Sequence, residues 1–418
     1  MARLVQMYGL VRVLLKITPR LERLIIPGWL VFLLLVPIPP VQAEDAFQTD
    51  FTGYFDNLLT LKSYYSHPTI EDRVQPTDIQ RLRLMWEGSW KRLSYEAHYE
   101  HLMAVRRTSA EAIGTSGRVE RVSAAFRYLD LDWNIETQEH FTWDHQLDRL
   151  NAKIDLGFAD ITVGRQAISW GVGYLWSPVD LLTTFSPLQI NRDYKAGVDA
   201  VFFDLPLGPF QEAYLAYAPD ENWDNSALLA RHRLRLGAVD VAVMGGWTIS
   251  DYVLGGEINA DIKGIGMRME VTHTWPEDTS RFIRALFGLD YQCTSDFFLQ
   301  LEYFYNGFGT SDPEGYSDVS AAPRFLRGEI FNTAHHYLGV NGRYQLTPLV
   351  ILHGSAIINL NDGSALLEPA LIYSLSNNAE IRLGAILALG KRPHDSLRSE
   401  FGAYPHLGFG ELIFYFGR

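Results

Sequence analysis

The stretch DFFLQLEYFYN, Asp296–Asn306, places Phe297, Leu299, Leu301, Tyr303 and Tyr305 on one face and Gln300, Glu302 and Asn306 on the other. A period of two is the pattern of an extended strand with one apolar and one polar side. The run is about ten residues long, whereas strands in soluble domains are usually about 5–6. A tilted strand that crosses a bilayer needs about 9–11.

The same alternation recurs along the chain. In SYEAHYEH (94–101), Tyr95, Ala97 and Tyr99 oppose Glu96, His98 and Glu100. In RLNAKIDL (149–156), Leu150, Ala152, Ile154 and Leu156 oppose Arg149, Asn151, Lys153 and Asp155. GMRMEVTHTW (266–275) and EIRLGAILAL (380–389) repeat it. Dyad segments of this length with aromatic residues near their ends predict an all-β fold: a transmembrane, antiparallel, up-and-down β-barrel of about 18 strands, with 16–20 also compatible. A soluble sandwich or β-solenoid alternates in the same way but with shorter strands.

The connections support a barrel. With the N-terminus in the periplasm, the short turns at 88–90, Gly157–Phe158, 206–209, Gly237–Ala238, Lys263, 292–295, 346–348 and 375–378 share one side. The long connections at 63–77, 105–146, 169–196, 307–333 and 390–407 share the other, which is the arrangement of outer-membrane barrels. Within 105–146, VSAAFRYLDLDW reads as an extra strand or as part of a folded or helical loop.

Composition narrows the function classes. Aromatic residues make up 13% of the chain, yet mean hydropathy is only -0.05, as expected for a sheet with one polar face. The first 43 residues carry a basic start (Arg3, Arg12, Lys16, Arg20, Arg23), the apolar stretch LIIPGWLVFLLLVPIP, and VQA ending at Ala43. This reads as a cleaved signal peptide over 1–43, with the barrel over 44–418 in a bacterial outer membrane. An uncleaved anchor is the alternative. The formal net charge is -13, and loss of 1–43 makes it more negative, which argues against nucleic acid as a partner. After residue 43 no apolar run is long enough for a spanning helix. Cys293 is the only cysteine, so no internal disulfide, c-type haem attachment or cysteine zinc cluster is available. No cofactor or metal is expected.

The stretch GRQAISWGVGYLWSPVD, Gly164–Asp180, leads from an expected barrel strand into the long connection at 169–196. Strict alternation aims Arg165 at lipid, so Gly164 is expected to carry a bulge that re-aims the next side chain, with Arg165 and Gln166 turning toward the lumen or hydrogen-bonding the loop. Trp170, Trp176 and Phe185 would pin the apolar side of the loop. Asp180 would accept from backbone N–H groups or pair with Arg165 or Arg192. Arg165, Gln166, Trp170, Trp176 and Asp180 are thus the candidates for a rim or constriction loop, either packed over the mouth or folded into the pore. The absence of a following helical pattern argues against a phosphate cradle.

Pore-lining candidates come from the polar faces. ARHRLRLG puts Arg231, Arg233 and Arg235 on one face, joined by Arg149, Lys153, Arg268, Glu270 and Glu302 on other strands. A one-sided arginine set would attract anions, whereas a mixed set forms lumenal ion-pair ladders.

GRQAISWG with SPVD, the later GVDAVFFD, and LEYFYNGFG (301–309) resemble stretches of Gram-negative porin-like barrels, among them alginate-export-like and related porin families. The similarity is clearest over roughly 147–310. It implies an outer-membrane channel. The end of the chain, GELIFYFGR, departs from the usual aromatic terminus. The expected function is passive or weakly selective passage of small hydrophilic solutes, anionic ones if the arginine set is one-sided, with outer-membrane lipid as surroundings. The alternatives are a sleeve or exporter for a polymer or for a periplasmic or outer-membrane protein such as an electron carrier, and, less favoured, a barrel enzyme. No G-x-S-x-G or H-E-x-x-H occurs, and the adjacent His335 and His336 would point to opposite faces of a strand. No catalytic residue is assigned.

Overall fold

A computed structural model describes residues 47–64, 74–107, 126–184, 186–187, 194–277, 279–394 and 396–417. The expected signal peptide, Phe185, Arg192 and parts of the connections at 63–77 and 105–146 lie outside the described residues.

The strands are β1 (Gln48–Ser63), β2 (Val74–Trp90), β3 (Leu93–Arg106), β4 (Asp132–Gln138), β5 (Phe141–Asp155), β6 (Asp160–Gln166), β7 (Val198–Gly208), β8 (Gln211–Ala218), β9 (Ala227–Leu236), β10 (Val239–Thr248), β11 (Asp251–Ile262), β12 (Ile265–Trp275), β13 (Phe282–Gln292), β14 (Phe297–Asn306), β15 (His336–Thr347), β16 (Val350–Asn359), β17 (Ala365–Ser376), β18 (Ala379–Leu389) and β19 (His406–Phe416). Two short helices, α1 (Tyr316–Ala321) and α2 (Pro323–Leu326), lie between β14 and β15. Each wall strand pairs antiparallel with its neighbours, and β1 closes on β19 from Gly53↔Phe416 to Ser63↔His406. The wall is a closed antiparallel barrel of 18 strands, with β4 as an additional strand. Closure removes the sheet edges that would otherwise expose unpaired backbone to lipid.

Burial is inverted relative to a soluble protein. Phe55, Leu59, Val243, Leu254 and Leu383 face outward and are exposed, while Asp56, Thr60, Arg83, Glu257 and Glu411 are buried inside. Alternation explains both sets, because neighbours in sequence take opposite faces. One end of the barrel carries tight turns. Lys263 and Gly264, both with positive φ, close β11 onto β12 in a two-residue turn of the hairpin type. The other end carries the long connections.

One column of the wall is made from two pieces. The edge of β5 pairs with β6 over Leu150–Asp155 and with β4 over Phe141–Gln146. β6 therefore fills the turn-end half of the column and β4 the loop-end half. The division lets the chain leave the wall at Gln166, halfway up, without opening a gap. β5 also carries a bulge: His98 pairs with Arg149 but Tyr99 with Leu147, so Asp148 and Arg149 escape alternation and are both buried.

Candidate functional site

From Gln166 the connection to β7 turns into the lumen and reaches the far wall. Glu270 lies midway along β12 and Glu302 midway along β14, both on inward positions. The Glu270 carboxylate accepts from the backbone N–H of Val172 (2.5 Å), Gly173 (2.7 Å) and Val179 (3.2 Å) and from Ser177 Oγ (2.9 Å). The Glu302 carboxylate accepts from the N–H of Tyr174 (2.6 Å) and Leu175 (2.7 Å). Two carboxyl groups thus hold six donors of one loop, five of them backbone N–H groups with no strand partner. Arg284 on β13 donates to Pro178 O and to Glu329 O, both at 3.2 Å, tying this loop to the connection after β14.

The loop is apolar where it meets the wall. Ile168, Trp170, Val179 and Leu182 pack with Val198, Ala216, Leu229 and Met244 on the near side. Leu175 and Trp176 pack with Phe304, Tyr337 and Ile357 on the far side. Trp176 donates its indole N–H to Asn332 Oδ1 (2.8 Å) and stacks on Phe304 at 5.2 Å. Gly339 makes room for this tip, because a Cβ there would stand 2.3 Å from Leu175 Cδ1 and 2.8 Å from Trp176. On the return, Tyr194 stacks on Tyr54 at 5.5 Å and lies under the Arg83 guanidinium at 4.5 Å. Asp180 pairs with Lys195, and burial holds its carboxyl up, at about 6, against the pull of that ammonium and of the Trp170 and Thr183 N–H groups.

One expectation for this segment is corrected. Gly164 carries no bulge: the β5–β6 register runs unbroken through Asn151↔Gly164 and Leu150↔Arg165. The glycine is needed instead because φ is +119° and a Cβ would meet Leu150 O at 2.2 Å. Arg165 is in register with Leu150, and its guanidinium lies within the wall, sharing the Asp132 carboxylate with Arg127, which in turn reaches lumenal Asp148. Arg165 is fully buried there, bonded to Asp199 (2.9 and 3.1 Å), Asp132 (3.1 Å) and Leu129 O (2.6 Å). Asp180 accepts from the Trp170 and Thr183 N–H groups, one of the expected arrangements, and its side-chain partner is Lys195, not Arg165. Gln166 turns back on its own wall, donating to Ala200 O (3.1 Å) and Gly164 O (3.3 Å).

The arginine stripe lies against acids. Arg231 pairs with Glu257, Arg233 with Glu212 and Asp240 (both 3.3 Å), and Arg235 stands 4.0 Å from Asp240. Arg268 meets Asp290 at 2.8 Å and Lys153 meets Asp160 at 3.3 Å. Arg149 donates to Asp148 Oδ2 (2.6 Å), which also takes Arg83 (2.5 Å). Charges of both signs interleave round the wall, as in a ladder. Sequence reasoning brought out Glu270 and Glu302 but not Asp148, Arg284 or Tyr194. Asp148 is hidden by the bulge, and the other two make contacts that only the infolded loop creates.

No family model and no curated protein matches the chain. Solved structures do. Acinetobacter baumannii OccAB1 is similar at TM-score 0.54 and 9% identity, over 88% of this chain and 96% of that one. A BenF-like porin from Pseudomonas fluorescens Pf-5 is similar at TM-score 0.54 and 8% identity, over 88% and 98%. Pseudomonas aeruginosa OccD3 (OpdP) follows at TM-score 0.52 and 10% identity, over 90% and 95%. Closed wall, inverted burial and near-complete coverage agree: the chain has the fold of an outer-membrane porin barrel.

Proposed function

We propose that the chain is an outer-membrane porin-like channel for passive or weakly selective passage of small hydrophilic solutes, with the 167–197 connection as its constriction. Residues 1–43 serve as the export signal, the turn end faces the periplasm and the loop end faces outside. The observation that carries this reading is the grip of Glu270 and Glu302 on the backbone of a loop that starts from the opposite wall. A loop held across a polar lumen narrows the path without closing the wall. The fold shared with Occ and BenF-like porins supports the same reading.

Anion preference is the finer question. Arg231, Arg233 and Arg235 each lie near a carboxylate, which favours a shape-giving ladder and weak selectivity. The sleeve reading is disfavoured by the apolar clusters that join the loop to both sides of the lumen. The test is single-channel recording of the refolded 44–418 chain in planar bilayers. A stable conductance is expected, with reversal potentials near zero in a chloride gradient and little changed in Arg231→Ala/Arg233→Ala/Arg235→Ala. A folded barrel without conductance defeats the channel reading. A strong anion preference lost in the triple variant would restore the stripe as a filter.

A further inference from the structure

Behind the tip of the inward loop lies a buried carboxyl that the constriction itself does not use. Glu400, in the connection between β18 and β19, is 4% exposed. Its Oε1 accepts from Thr333 N (2.9 Å), and its Oε2 accepts from Tyr337 Oη (2.6 Å) and Asn359 Nδ2 (2.9 Å). Its own N–H donates to Asp362 Oδ2 (2.8 Å). These partners also hold the loop tip. Asn332, next to Thr333, takes the Trp176 indole N–H, and the Tyr337 ring lies 6.0 Å from the Trp176 ring. Phe401, next to Glu400, is buried in the same apolar cluster as Leu175 and Trp176.

We propose that Glu400 is a proton-controlled latch: with its carboxyl protonated, the outer connections hold Trp176 and the constriction loop in place, and its ionisation loosens that hold so that conductance rises. The proposal rests on the channel reading above. Its basis is the company the carboxyl keeps. All its donors are neutral, and among the described residues no lysine or arginine lies within ion-pair distance of it. The groups facing it are Asp362 and Asn359 from the β16–β17 connection and the end of β16, Tyr316 from α1, Tyr337 from β15, and Tyr404 from its own connection. On that connection Arg392 donates to Gly402 O, Tyr404 O and His406 Nε2, and Lys391 and Arg398 are exposed. A second carboxylate 2.8 Å from its N–H adds repulsion once Glu400 ionises.

Burial holds the Glu400 carboxyl up, at about 7, against the hydrogen bonds from Tyr337, Thr333 and Asn359, which favour its ionised form, and the charge of Asp362 adds to the rise. A carboxyl raised in the closed arrangement stabilises closure fully below its ordinary value and progressively less as pH rises to the raised one. From pH 6 to pH 8 the closing equilibrium weakens by about tenfold.

The test follows amide hydrogen exchange of peptides covering Val172–Val179 and Thr333–Tyr337 in the refolded barrel, corrected for intrinsic exchange, beside bilayer conductance at each pH. In the wild type, protection is expected to fall about tenfold between pH 6 and pH 8 while conductance rises. Glu400→Gln is expected to be flat over that interval. Asp362→Asn, which keeps the Glu400 carboxyl, moves the change toward lower pH. Equal pH dependence in wild type and Glu400→Gln, or none in the wild type, overturns the latch, whether or not the barrel conducts. The expected protection changes in a barrel that never conducts would uphold the latch and defeat the channel reading.

Discussion

Truncating Glu270 removes the acceptor of four hydrogen bonds at once, three of them from backbone N–H groups. A hydrogen bond to a charged acceptor contributes about 1.5–3 kcal/mol, and a buried donor left alone costs about 1–3 kcal/mol. Lumenal water entering the vacated space replaces part of this. Glu270→Ala should therefore weaken the inward position of the loop by about 4 kcal/mol, a factor on the order of 10³. Glu270→Gln should fall between. Its amide oxygen can serve Val172 and Gly173, but its NH₂ then faces the Ser177 hydroxyl and the Val179 N–H. Glu302→Ala, losing two bonds, should cost about half as much, and the double variant should depart from additivity because both carboxylates hold neighbouring residues of one loop. The assay is single-channel conductance paired with amide exchange over Val172–Val179. Larger or flickering conductance with faster exchange is expected, in the order Glu270→Ala, then Glu270→Gln, then wild type. Unchanged conductance and unchanged protection in Glu270→Ala would refute the reasoning.

Further outcomes follow from other parts of the wall and loop. Arg165→Ala leaves Asp199 buried without its cation and should destabilise the barrel by about 3–5 kcal/mol, seen as a lower temperature for the loss of folded gel mobility. Arg165→Lys should not rescue it, because one ammonium cannot span Asp199, Asp132 and Leu129 O together. Gly164→Ala, at φ +119° with Leu150 O in the way, should cost about 1–3 kcal/mol in the same assay, whereas Gly354→Ala, in open space, should be nearly neutral. Asp180, held up at about 6, should make the protection of the Trp170 and Thr183 amides highest below about pH 4 and decreasing toward about pH 6. Asp180→Asn should abolish that slope, and a protection that increases over the interval would mean that the Lys195 pair outweighs burial.

Most strands were legible because alternation persists wherever one face meets lipid and the other the lumen. DFFLQLEYFYN is β14 almost to the residue. The upper half of β5 was not legible, and the reason is local. Trp143, His145 and Leu147 share one parity, while Leu150, Ala152 and Ile154 take the other, because the bulge at Asp148 shifts the phase. A strand with a phase shift reads as two fragments, so residues from Phe141 onward fell into the expected loop at 105–146. β4 escaped because every residue of DWNIETQ is exposed, which leaves no buried face to impose a pattern. For the site, the residue types at Glu270 and Glu302 marked them as lumenal, but their partners are backbone N–H groups roughly a hundred positions earlier. Such donors are the same in every residue and leave no trace in sequence.

That choice of partner has a consequence for how such a protein can change. A clamp that grips main chain is indifferent to the side chains it holds, provided proline is kept from the donor positions. Tyr174 is exposed although its N–H is held by Glu302, and Val172 is only half-buried. In the proposed channel, substitutions at these two positions would alter what the loop presents to the lumen while the loop stays where it is. Mechanical placement and chemical character are thereby inherited separately, and a lineage could explore new permeants one codon at a time without first rebuilding the scaffold that positions them.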